Sequence, residues 1–200
     1  MTTLALAPKL PDPRLFSIVT IAEEGGPAAW HSRMRWPRHG DAHIALDMNR
    51  PRRAGVWASQ IDDAVMQADR AVLLVAEGVG CFAASWWARL SPSHYVSKVA
   101  GALMFDPASP PRDADARQLF ASPAIQLPFP SILLTPDDAE LRDDAALGAQ
   151  VDSWGSRRVA GSRQRTVDQS AWWSAQRLVN RFTRAIVEHD VQRAHALRGE

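Results

Sequence analysis

The stretch Ala76-Glu77-Gly78-Val79-Gly80 has the small-x-apex-x-small spacing of a nucleophile elbow, the sharp strand-to-helix turn that presents an attacking side chain at its apex. The chemistry such a turn serves is attack on a carbonyl by a hydroxyl or thiol whose proton passes to a neighbouring base. Glycine at position 78 carries no attacking atom. Glu77 precedes the apex, at a position whose side chain normally points away from the nucleophile's direction. Cys81 follows the apex by one helical turn, where a small apolar thiol is expected to pack rather than react. Further carboxylates, Glu23, Glu24, Asp137 and Asp138, fall where two other strand candidates end. If they share one site with Glu77, their repulsion requires a nearby cation or raised pKa values. Arg163 and Arg165 could pair with them and plug the site; a bound cation or an amine-bearing ligand is the other option. His31, His39, His43, His94, His189 and His195 show no metal-ligand spacing, so neither a metal nor a cofactor is expected.

The elements that must position these groups alternate along the chain. Strand candidates are Leu15–Ile21, His43–Asp47, Ala71–Ala76, Ser97–Pro107, Phe129–Asp138 and Ser156–Gly161. The run Ala71–Ala76 is apolar at every position, as a central parallel strand buried on both faces should be. Between them lie helical patterns: one after Pro27 carrying Trp30 and Met34, one over 54–69 with Val56, Trp57, Ile61, Ala64 and Val65 inward, and one continuing from the elbow. A further helix over 139–154 should end at Trp154-Gly155, and 169–193 reads as a long amphipathic helix with Trp172, Leu178, Phe182 and Ile186 on one face. This order predicts an α/β three-layer sandwich: a mostly parallel sheet of about six strands with helices on both faces. In such sheets functional groups collect at the carboxyl ends of strands.

The order of these motifs resembles that of the small α/β-hydrolases that include YdeN and the retinoblastoma-binding serine hydrolase, over roughly residues 15–187. Where bacterial members read Pro-Gly-Trp and then Ser-Gly-Pro-x-His-Trp, this chain has Thr20-Ile21-Ala22 and then Gly25-Gly26-Pro27-Ala28-Ala29-Trp30. Asp47, Arg50-Pro51 and Trp57 match the family's next signals, as do Gly101-Ala102-Leu103 and Pro128-Phe129-Pro130-Ser131. The family's Val-Ala-His-Ser-Leu-Gly-Cys is Val75-Ala76-Glu77-Gly78-Val79-Gly80-Cys81 here. Its Asn-Asp-Pro turn corresponds to Asp137-Asp138-Ala139, and its Gly-His-Ile-Asn to Gly161-Ser162-Arg163-Gln164. The resemblance therefore implies former triad positions at Gly78, Asp138 (or Asp137) and Ser162, with no catalytic set intact. It also implies that Thr20-Ile21 stands in the loop that supplies an oxyanion donor, with Ala22, Glu23, Glu24, Glu77, Val79, Asp137, Arg163 and Arg165 around the pocket.

Composition bounds the rest. The 200 residues are 46% hydrophobic and 22% charged, enough for one core, with a tail at 1–13, a domain at 14–188 and a helical extension at 189–200. A net charge of +1 gives no bias toward nucleic acid or anionic membrane. One cysteine excludes an intramolecular disulfide, and no long apolar run marks a leader or a span, so a soluble cytoplasmic protein is expected. Eight tryptophans against one tyrosine read as packing onto the sheet. The expected function is that of a catalytically inactive hydrolase-fold protein that binds a protein partner or a small ligand. An active esterase or amidase with a rearranged catalytic set is one alternative. The other is a structural subunit of a homo-oligomer, with a homodimer built through the apolar stripe Val187, Val191, Ala194 and Leu197.

Overall fold

A computed structural model of the chain describes residues 16–24, 41–48, 54–107, 120–135 and 145–160. Its strands are β1 (Phe16–Glu23), β2 (Ala42–Leu46), β3 (Ala71–Glu77), β4 (Val99–Phe105), β5 (Ser131–Thr135) and β6 (Arg157–Ala160). Its helices are α1 (Ala54–Gln67), α2 (Val79–Leu90), α3 (Ser93–Val96) and α4 (Ala145–Asp152). All six strands pair in parallel in the order β2-β1-β3-β4-β5-β6, so every strand ends at the same edge. The chain moves outward from β1 to β2 and then returns to the other side of β1 as β3. The crevice between the carboxyl ends of β1 and β3 is therefore the topological switch point, the place where open parallel sheets bind ligands.

β3 is central because its sequence allows nothing else: Val72, Leu73, Leu74, Val75 and Ala76 are all buried, alternately contributing to the two faces of the sheet. On one face Val72, Leu74 and Ala76 pack with Trp57, Ile61 and Val65 of α1 and with Phe82 and Trp87 of α2. Trp57 stacks on Phe120 at 6.1 Å and Phe82 meets Trp154 edge-on at 5.4 Å, while the Trp87 indole N–H donates to Asp62 at 2.8 Å. The tryptophan excess is thus spent on packing wherever it is described, with Trp154 in the turn after α4 rather than within it. On the other face Phe16, Leu73, Val75, Leu103, Phe105, Ile132 and Leu134 form a second buried cluster. The helices expected after Pro27 and over 169–193 lie outside the described residues, as do the tail at 1–13 and the extension at 189–200.

Several expectations are corrected. β1 does not stop at Ile21 but runs to Glu23, because Ala22 and Glu23 pair with Ala45 and Leu46 and the Glu24 N–H donates to the Leu46 carbonyl at 3.0 Å. Thr20 and Ile21 lie within the strand, as their apolar run predicts, and not in the loop place that the resemblance implies; the Thr20 hydroxyl lies 2.8 Å from Nδ1 of His43, its neighbour across the strands. Val56 is 48% exposed. It shares its helix face with Gln60, Asp63 and Gln67, whereas Trp57, Ile61 and Val65 define the inward stripe. β4 and β5 are shorter than their apolar runs, and the single turn α3 occupies residues ahead of β4.

Polar ties fasten the amino edge. Arg89, in the last turn of α2, donates to Ser122 Oγ at 3.1 Å and to the carbonyl and hydroxyl of Ser153 at 2.9 and 2.8 Å, joining three segments of the chain. Its setting suits a cation, since it sits beside the carbonyl ends of α2 and α4. Asp69, just before β3, accepts from Arg70 Nε at 3.1 Å and from the buried Ser17 hydroxyl at 3.1 Å. The Arg70 hydrogen bond first, and the Ser17 bond second, hold the Asp69 carboxyl below its ordinary value. A depressed carboxyl stabilises the fold above its unfolded pKa and loses that contribution as pH falls through the folded value. An Asp69→Asn variant should therefore melt below the wild type at neutral pH, with the gap closing as pH is lowered through the carboxylate range in thermal melts followed by circular dichroism.

Candidate functional site

The site is built where β3 meets α2. Gly78 follows the last residue of β3 and caps α2 with φ 56° and ψ −127°, a left-sided conformation that costs a residue with a side chain about 1–3 kcal/mol. The turn is pinned from three sides. Its N–H donates to the Phe105 carbonyl on β4 at 3.0 Å, its carbonyl accepts from the Cys81 N–H at 3.1 Å, and Glu77 lies in register with Phe105. The third side is set by Gly80. A Cβ placed there would lie 2.2 Å from the Ile21 carbonyl oxygen and 2.8 Å from its carbon, so the first turn of α2 rests directly on the backbone of β1.

At Gly78 the situation is opposite. A Cβ built on it meets no heavy atom within 4 Å among the described residues. Among the described residues the apex therefore meets no steric bar to a side chain. Val79, the next residue and the one whose N–H serves an oxyanion in a working elbow, is buried at the start of α2.

Cys81 contributes no nucleophile. It is fully buried, its thiol directed to the carbonyls of Phe105 at 3.4 Å and Ala76 at 3.5 Å. Burial, together with the negative charges of Glu77 and Asp106, raises its pKa far above the ordinary thiol range, so the reactive thiolate is not formed. Its role is to tie the helix to the ends of β3 and β4, the packing role expected from the sequence.

Strand register brings the edge residues into one row. Ala22 lies beside Ala45, Glu77 beside Phe105, and Phe105 beside Leu134. Carboxylates follow or end the first four strands: Glu23 on β1 and Glu24 after it, Asp47 after β2, Glu77 on β3 and Asp106 after β4. Glu23, Glu24 and Asp106 are exposed, Glu77 is half-buried and Ala22 is buried. The described arginines and lysine, Arg70, Arg89, Lys98, Arg157 and Arg158, stand instead at strand starts or at the end of α2. Arg158 pairs there with Asp152. Asp137, Asp138, Ser162, Arg163 and Arg165 lie outside the described residues, so the expected carboxylate-guanidinium plug falls there too; β5 and β6, the strands that precede them, end at this same edge.

Asp106 is the site residue that sequence reasoning passed over. It holds φ 42° without being glycine, its N–H donates to the Leu134 carbonyl at 2.9 Å, and its charge reaches Cys81. Aspartate tolerates this conformation better than most residues. The available signal was the Asp106-Pro107 pair closing an apolar run, a turn signature that was read only as the end of a strand. Among the described residues no group of three or more His, Cys, Asp or Glu is arranged to hold a metal ion. No helix among them is long and apolar enough to cross a membrane.

A family model described as serine hydrolase matches residues 18–177. Among solved structures, a protein titled as a YdeN-like hydrolase from Pectobacterium atrosepticum aligns with a TM-score of 0.60 and 16% identity, covering 86% of this chain and 92% of that one. That likeness establishes the α/β-hydrolase-like fold. Comparison with curated proteins returns no match.

Three expected outcomes follow from the elbow's geometry. Gly80→Ala should cost about 3 kcal/mol or more in urea unfolding, at the top of the overpacking range, because the intruding methyl group meets backbone on a central strand. Gly78→Ala should cost only the conformational strain of about 1–3 kcal/mol. Cys81 should resist a thiol reagent such as Ellman's in the native protein and react fully once urea unfolds it.

Proposed function

The chain belongs to the serine hydrolase family, and from that premise we propose that it is a member without hydrolytic chemistry, retained to bind a protein partner or small ligand at the carboxyl edge of its sheet. The observation that carries this reading is Gly78, a residue without an attacking atom held at positive φ in the turn between β3 and α2, with no heavy atom of the described residues within 4 Å of where a Cβ would stand. By the resemblance set out above, Ser162 stands where the family has its histidine, and a hydroxyl does not accept a proton near neutral pH. Loss of nucleophile and base together lowers turnover on the order of 10⁶-fold, leaving only what backbone donors and binding contribute.

The reading is further supported by what the two nearest substitutes lack. Cys81 is buried and protonated, and Glu77 sits ahead of the apex at the end of β3. The binding role rests on location: Gly78 follows β3 beside the switch point between β1 and β3, where ligands enter parallel sheets regardless of the chemistry performed there. The edge around it carries carboxylates on four strands, which favours ligands or partner surfaces that are not anionic.

The wild-type protein should remain unlabelled by a fluorophosphonate probe under conditions that label an intact family member to completion. Stoichiometric labelling would overturn the proposal. In a fragment screen followed by amide chemical shifts, the responding amides should centre on Gly78, Val79 and Gly80; hits confined to other surfaces would remove the binding role from this edge.

A further inference from the structure

We draw no further inference here: the strongest candidate, the row of carboxylates at the carboxyl edge of the sheet formed by Glu23, Glu24, Asp47, Glu77 and Asp106, belongs to the site already described and repeats the acidic character of that edge without naming a ligand.

Discussion

The contact on which this molecule turns is the one between Gly80 and the backbone of Ile21. A methyl group's worth of space is missing there, and its absence lets the first turn of α2 lie directly on β1. The helix then starts within one residue of the end of β3, and the chain has to reverse direction at Gly78. With the Phe105 carbonyl holding both the Gly78 N–H and the Cys81 thiol, the turn is over-determined from β1, β3 and β4 together. Strain at such a position persists only when its surroundings impose it. Here they impose it on a glycine, which has no side chain to be presented.

That separation of frame from chemistry is why the turn holds its shape with a glycine at its apex. The groups that build the elbow are apolar or backbone: Val75, Ala76, Val79, Cys81, the carbonyls of Ile21 and Phe105, and the missing side chain of Gly80. Each is required for packing whether or not the apex can attack a carbonyl. At positive φ a glycine carries less strain than a residue with a side chain, so stability does not select against it at this apex.

Much of the architecture was legible because the signals were redundant. Ala71–Ala76 could only be a central strand, the elbow spacing fixed the start of α2, and the glycine after Trp154 marked the turn that follows α4, where Gly155 has φ 67°. Misreadings came where local polarity competed with pairing. Glu23 looked like a loop residue, yet its backbone is paired with β2. Val56 counted toward an apolar stripe, yet its neighbour Trp57 offers far more surface to bury and takes the inward position. Asp106 is marked in the sequence only by the turn signature Asp106-Pro107, which does not report its backbone angle or the Leu134 carbonyl that its N–H reaches. The apex glycine, the buried thiol and the acidic edge were readable from residue types alone; the Gly80–Ile21 contact, which holds them in place, needed coordinates.

The claim that the frame and not a nucleophile sets this turn is tested most directly by a crystal structure of the Gly78→Ser variant. The account predicts that the substituted residue keeps φ near the 56° of the glycine, with β1, β4 and α2 unmoved. A backbone that relaxes to negative φ, or an α2 that withdraws from Ile21 to accept the side chain, would contradict it.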